Sequence, residues 1–291
     1  MKPAAFDYIA PKTVEEVISL LTTHEDEAKI LAGGQSLMPI MNFRLGRPGL
    51  LIDINGLDEL DYIKQQDDHL LIGGLTRERT VERSPLVRDL CPLLSQAISF
   101  VGHTAIRNRG TVGGSLVHAD PSGEIPTAFC ALDGRVKAVG PDGERWIDPG
   151  EFFLTFLTTS LEPTELLVEV KVPVLPQGTG WSFMELSRRV GDFAIIGVAT
   201  LLFMNGDGTC REARIALGGV APTPFRAEEA EEVLAGQAIG EELISRAGEL
   251  AGEAADAEDD YHASAEYRQE MAKIMVSRSL RQALARTGKG N

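Results

Sequence analysis

A chain of 291 residues with 43 acidic against 28 basic side chains carries a formal charge of −15. That balance argues against a nucleic-acid-binding surface, which needs clustered Lys and Arg, and the length suits about two domains at ~100 to 200 residues each. No stretch approaches the ~18 continuous apolar residues of a membrane span, and the opening MKPAAFDYIA lacks a signal peptide's apolar core, so a cytoplasmic protein is expected.

The first helix is expected after Thr13, which forms a capping-box pattern with Glu16, while Val14, Val17, Ile18 and Leu21 recur at helical spacing. AKILA then reads as a short strand, GGQS as a turn, SLMPIM as a brief helical turn and LLIDI as a buried strand, a small β-turn-α-β unit. Pro39 is tolerated only near the start of a helix, which places that start at Gly34 to Ser36. From HLLIGGLT the pattern is one strand and two helical segments, RERTVERSPLVRD and LCPLLSQAISFVG, the second ending at Gly102. A polar loop, HTAIRNRG, leads into TVGGSLVHADPSGEIP. A hairpin from RVKAVG to RWID across PDGE comes next, and then the strand TELLVEVKVP. Prolines and glycines collect in VPVLPQGTG, where a domain boundary is expected. Beyond it, FAIIGVATLLFM and CREARIALGGV flank the hairpin signal NGDG, and two or three helices follow, the last from Ser264.

The candidates for chemistry are few. Cys91, Cys130 and Cys210 are widely separated and form no C-x-x-C pair, so this chain alone cannot supply the four-cysteine set of an iron–sulfur cluster or a zinc ribbon. His24, His69, His103, His118 and His262 lack H-E-x-x-H or H-x-x-x-H spacing, and no metal site is expected. His118 beside Asp120 suggests a proton relay, although a loop histidine without catalytic duty explains it as well. Short basic runs such as RNRG and SRRV read as solvated surface.

Four Gly-Gly pairs stand at 33–34, 73–74, 113–114 and 218–219. Any one of them could merely permit a positive φ in a turn. GGQS and GGS, however, are each followed closely by a hydroxyl and an apolar residue, so that bare amides and a hydroxyl can face one ligand. Amides without Cβ atoms around them approach phosphate oxygens closely, and two such loops could clamp a pyrophosphate. The chain has neither G-x-x-x-x-G-K-[ST] nor G-x-G-x-x-G, which removes the P-loop and Rossmann alternatives.

Three segments carry a family likeness: AGGQSLMPIM at 32–41, IRNRGTVGGSLVHADPSGEIP at 106–126 and ELSRRVGDFAIIGVA at 185–199. In order and spacing they resemble signature segments of the FAD-binding medium subunit of molybdenum hydroxylases, the family of CO dehydrogenase, xanthine dehydrogenase and related aromatic-heterocycle hydroxylases. The resemblance implies an α+β chain. A two-part FAD-binding domain of the PCMH type over 1–177, with parts at about 1–56 and 57–177, precedes a C-terminal domain over 178–291 in which helices pack a three-stranded antiparallel sheet. It implies that Ala32, Gly33, Gly34, Gln35, Ser36 and Leu37, with Thr111, Gly113, Gly114 and Ser115, hold the FAD pyrophosphate. It also implies that Asp120 and Glu124 lie near the ribityl and adenosine parts, Glu124 as a hydrogen-bond acceptor, though a charge at the start of the EIPTAF helix would serve the fold equally. Ile106 and Leu161 fall where relatives offer backbone or apolar contacts, and Asp192 and Phe193 at the tip of the segment that approaches the isoalloxazine ring. Many relatives carry Tyr at the position of Phe193 and Lys at that of Ser187. With Gln35 where related flavoproteins attach the cofactor through histidine, non-covalent FAD is expected.

By the same resemblance, substrate is hydroxylated at the molybdenum cofactor of a large subunit, and electrons reach this FAD through 2Fe–2S clusters of a small subunit before leaving to an external acceptor. The assembly would be a dimer of heterotrimers, and this chain would hold no catalytic acid or base and no metal. Two other readings compete: a self-contained FAD-dependent oxidoreductase of related fold, and a non-redox nucleotide-binding module.

Overall fold

The computed structural model describes residues 1–288. Its first part is a three-stranded parallel sheet in the order β1-β3-β2, built from β1 (Asp7–Ile9), β2 (Ala28–Leu31) and β3 (Leu50–Asp53), with α1 (Val14–His24) and α2 (Leu37–Asn42) as connections. Helix α1 starts where expected, since Thr13 Oγ1 accepts from the Glu16 amide at 3.3 Å. The Glu16 carboxylate reaches back one residue further than a standard capping box, to the Lys12 amide at 2.6 Å. Val17, Ile18 and Leu21 are buried against Leu50 and Ile52, and this core continues into Leu166 and Val168 of the next part.

The second part is an antiparallel sheet of five strands, β4 (Ile63–Gln66), β5 (His69–Gly73), β6 (Arg135–Gly140), β7 (Gly143–Ile147) and β10 (Leu166–Pro173), in the order β4-β5-β10-β6-β7. Between β5 and β6 run α3 (Glu78–Arg83), α4 (Pro85–Leu90), α5 (Pro92–Phe100), α6 (Thr104–Arg107), α7 (Val112–His118) and α8 (Glu124–Ala131). A short helix, α9 (Pro149–Phe152), and the small hairpin β8 (Phe153–Thr155) and β9 (Thr158–Thr159) precede β10. The segment RERTVERSPLVRD is two helices because Pro85 opens α4 at its first position, capped by Ser84. HTAIRNRG, expected as a loop, contains the single turn α6. The Arg107 guanidinium stabilises that turn, donating to the carbonyls of Val101 at 2.8 Å and Gly102 at 3.3 Å and pairing with Glu82 at 2.9 Å.

In the third part, β11 (Gly180–Ser187), β12 (Ala194–Met204) and β13 (Cys210–Gly218) form the expected antiparallel sheet, extended by a fourth strand of two residues, β14 (Phe225–Arg226). Helices α10 (Glu228–Glu232), α11 (Glu241–Glu253) and α12 (Ala265–Leu284) cover it. β12 explains why this part cannot stand apart. Ile196, Val198 and Leu202 face the core formed with α11 and α12, whereas Ala199, Leu201 and Phe203 join the core of the second part. A strand buried on both faces reads as a continuous apolar run, which is what FAIIGVATLLFM shows. Among the described residues no helix is long and apolar enough to cross a membrane.

Leu201 is fully buried on the face that joins the two cores. Leu201→Ala should therefore cost about 2–5 kcal/mol, read as a lower urea midpoint with an unchanged slope; an unshifted midpoint would mean that this face contributes no packing energy.

Candidate cofactor-binding site

The first glycine loop leaves the end of β2 and is fixed from outside. Asn55 Nδ2 donates to the carbonyl of Ala32 at 2.8 Å. Asp53 Oδ1 accepts from the Asn55 amide at 2.9 Å, and its other oxygen accepts from the Tyr8 hydroxyl at 2.6 Å. Partial burial raises the Asp53 carboxyl, but these bonds, together with the charge of Arg109, hold it below the usual range. Within the loop, Gly34 adopts φ +71° and Gln35 Nε2 donates to the Gly33 carbonyl at 2.9 Å. The amides of Gly33, Gly34, Gln35, Ser36 and Leu37 donate to no group among the described residues. Five consecutive backbone donors are thus open, the arrangement that receives phosphate oxygens.

The second loop is built differently. Thr111 caps α7, its Oγ1 accepting from the Gly114 amide at 3.1 Å. The Gly113 amide donates to the Gly74 carbonyl at 3.0 Å and the Ser115 amide to the Thr111 carbonyl at 3.0 Å. Its amides are therefore consumed inside the protein, against the expectation that both loops present bare N–H groups. What it keeps open is the half-buried Ser115 hydroxyl. Gly113 is a packing glycine: a Cβ there would lie 2.6 Å from the Gly74 carbonyl oxygen.

The two loops touch backbone to backbone. A Cβ on Gly33 would lie 2.3 Å from the carbonyl oxygen of Arg109. Arg77 ties the junction together, one guanidinium nitrogen donating to that carbonyl and another to Asn55 Oδ1, both at 2.6 Å. Beside the junction lies a cavity of about 360 Å³ that brings Ala32, Gly33, Gly34 and Gln35 together with Ile106 and Arg109.

Behind the second loop, carboxyl groups from three elements converge. Glu78 of α3 packs against Gly110, where a Cβ would lie 2.4 Å from its Oε2. Glu124 opens α8, and Glu185 comes from β11. Glu78 Oε2 and Glu185 Oε2 are buried with no hydrogen-bond partner. Burial pushes Glu78 and Glu185 up to about 7, and burial together with the neighbouring acids Glu185, Glu78 and Asp120 pushes Glu124 up to about 8. At neutral pH Glu124 is protonated and so can donate a hydrogen bond as well as accept one. Asp120 turns inward, Oδ1 accepting from the Ser122 amide at 2.9 Å. Burial lowers the pKa of His118, with Asp120 opposing, which leaves the imidazole neutral.

The remaining expected residues lie further out. Leu161 packs against the core of the second part rather than lining the cavity. Asp192 pairs with Arg189 at 3.0 Å in the loop between β11 and β12, and Phe193 is 63% exposed. That loop reaches α6 through Gly191, at φ +83°, whose Cα faces the His103 ring closely enough that a Cβ would lie 2.5 Å from it. The sequence reading missed Asn55, Arg77, Arg109, Glu78 and Glu185. Only Asn55 had a local signal, the DIN turn after a strand; the others act on partners far along the chain.

Residues 4–175 match the family of FAD-binding domains in molybdopterin dehydrogenase, and residues 181–283 the CO dehydrogenase flavoprotein C-terminal domain. The chain is a FAD-binding medium subunit of the molybdenum hydroxylase family. It is 43% identical over 286 residues to the 6-hydroxypseudooxynicotine dehydrogenase complex subunit alpha of Paenarthrobacter nicotinovorans, covering 98% of this chain and 97% of that one. It is 40% identical to the caffeine dehydrogenase subunit beta of Pseudomonas sp. strain CBB1, with the same coverage. Carbon monoxide dehydrogenase from Hydrogenophaga pseudoflava superimposes with a TM-score of 0.97 at 40% identity, over 99% of this chain and 100% of that one. The medium subunit has groups that fit a flavin dinucleotide: open amides for a diphosphate, glycines that let the two loops meet, and a protonated Glu124 for hydroxyl groups.

The raised carboxyls set a pH dependence for the medium subunit. Unfolded, Glu124 titrates near 4.5; folded, at about 8. The folded state therefore keeps a proton that the unfolded state has lost, and this stabilisation is complete below about pH 4.5 and declines as pH rises towards 8, by up to about 1.4 kcal/mol per pH unit. Thermal midpoints of the cofactor-free chain should fall from pH 5.5 to 8, and Glu124→Gln should flatten the fall; equal slopes in the two proteins would refute the assignment.

Proposed function

We propose that the first glycine loop holds the diphosphate of non-covalent FAD through the amides of Gly33 to Leu37. In this reading the second loop, through Thr111, Gly113, Gly114 and Ser115, sets the wall opposite. The contact of Gly33 with the Arg109 carbonyl carries the reading, because it makes one site of two loops nearly eighty residues apart. Asp120 and Glu124 belong to the ribityl and adenosine side, with Ile106 and Leu161 as apolar contacts. Asp192 and Phe193 face the ring from the C-terminal domain. The family matches on either side of residue 178 support the division into 1–177 and 178–291.

FAD bound there supplies the redox chemistry that connects iron–sulfur clusters of a small subunit to an external acceptor. The chain's own residues bind and orient the cofactor, and among the described residues no group of three or more His, Cys, Asp or Glu could hold a metal ion. Oxidation of the organic or gaseous substrate then falls to a large molybdenum subunit, in a cytoplasmic dimer of heterotrimers. Names such as dehydrogenase complex subunit alpha among the relatives favour such an assembly over a flavoenzyme acting alone. Gln35 offers no imidazole for a covalent bond, and its amide is engaged with the Gly33 carbonyl.

Two measurements test this. Affinity purification of the tagged chain from its native cells should bring FAD together with a large molybdenum chain and a small iron–sulfur chain; a yellow chain isolated alone would favour the self-contained oxidoreductase. Acid precipitation of the purified protein should leave all flavin in the supernatant, whereas a yellow pellet would show a covalent bond.

A further inference from the structure

The five open amides at the diphosphate position are uncharged, and Asp53, which lines the same cavity, is negative. An anion held by these amides beside the Asp53 carboxylate is favoured by a cation close by. Three arginines surround the junction, and two are committed. Arg77 is used by Asn55 and by the Arg109 carbonyl. Arg107 is buried and used by Glu82 and the carbonyls of Val101 and Gly102. Arg109 differs from both. Its side chain lines the cavity and has no hydrogen-bond acceptor and no carboxylate within 4.0 Å among the described residues. Asp53 feels the charge of Arg109 without bonding to it, because its oxygens are taken by Tyr8 and Asn55.

The backbone of Arg109 is fixed all the same. Its amide donates to the Ile106 carbonyl at 3.0 Å, and its carbonyl accepts from Arg77 while lying against Gly33. A fixed Cα at the loop junction with an uncommitted guanidinium beside five open amides is the geometry of an anion clamp, and the planar fork of arginine suits two phosphate oxygens at once.

We propose that Arg109 is the cationic residue that binds the cofactor diphosphate and makes this pocket prefer a diphosphate-bearing flavin to a bare one. The inference rests on the FAD reading above and adds to it a binding residue and a basis for selectivity.

The test strips flavin from the full chain in its complex and titrates it with FAD and with riboflavin, which carries the same ring and no phosphate, at low and high NaCl. Arg109→Gln should weaken FAD binding about 10- to 100-fold, the range for a lost charge-assisted hydrogen bond, and remove most of its salt dependence. Riboflavin affinity should not change, and Arg109→Lys should recover part of the loss. Because Arg109 is exposed, neither change should disturb folding. The inference is overturned if Arg109→Gln binds FAD as the wild type does, with the same salt dependence, or if FAD and riboflavin weaken together. A wild-type chain that binds no FAD would instead overturn the cofactor reading, and this inference with it.

Discussion

The close approach of two backbone segments, Gly33 against the Arg109 and Gly110 backbone, underlies the site. Neither loop makes a pocket alone. The first has open amides but no opposite wall, and the second has a wall but amides already bonded within the protein. Pressed together without a Cβ between them, they enclose a space that neither part of the domain could build separately. The contact would be weak if it rested on van der Waals attraction alone, since a glycine offers few atoms. Arg77 strengthens it with two charge-assisted hydrogen bonds, one to each side of the junction.

The same junction accounts for the buried acids. Gly110 leaves room for Glu78, and Glu78, Glu124 and Glu185 share a space in which three negative charges would repel strongly. Burial raises all three, Glu124 to about 8 and the other two to about 7, so at neutral pH Glu124 keeps its proton and can donate a hydrogen bond while the others carry only part of their charge. Net charge read from the composition describes the surface of this protein; it does not describe the space behind the second loop.

Much of the architecture was legible in the sequence because its main elements carry strong periodic or turn signals. The capped helix after Thr13, the NGDG hairpin and the apolar strand FAIIGVATLLFM all appear where expected. Among the strands that escaped notice, Asp7–Ile9 and Ile63–Gln66 are edge strands with mostly exposed side chains, so they show no apolar alternation. The glycine pairs were legible as a site but not as a mechanism. A sequence shows that Cβ atoms are missing; it does not show that another backbone takes their space, as at Gly33 and Gly113. Arg77 could not be recognised at all, since its partners lie 22 and 32 residues away.

The loop before β12 shows how far such placement depends on the distant packing. Phe193 is mostly exposed and cannot fix its own position by burial. Its neighbours do so: β12 is buried on both faces directly after it, and Gly191 rests on His103. Arg268, itself buried, donates to the carbonyls of Ile195 and Gly219 at 2.6 and 2.5 Å and to Asp260 at 2.7 Å. Removing that guanidinium would leave buried carbonyls unpaired beneath the loop. Since the backbone is set from below, the residue at 193 decides what the tip presents, here a ring without a hydroxyl, and not where the tip stands.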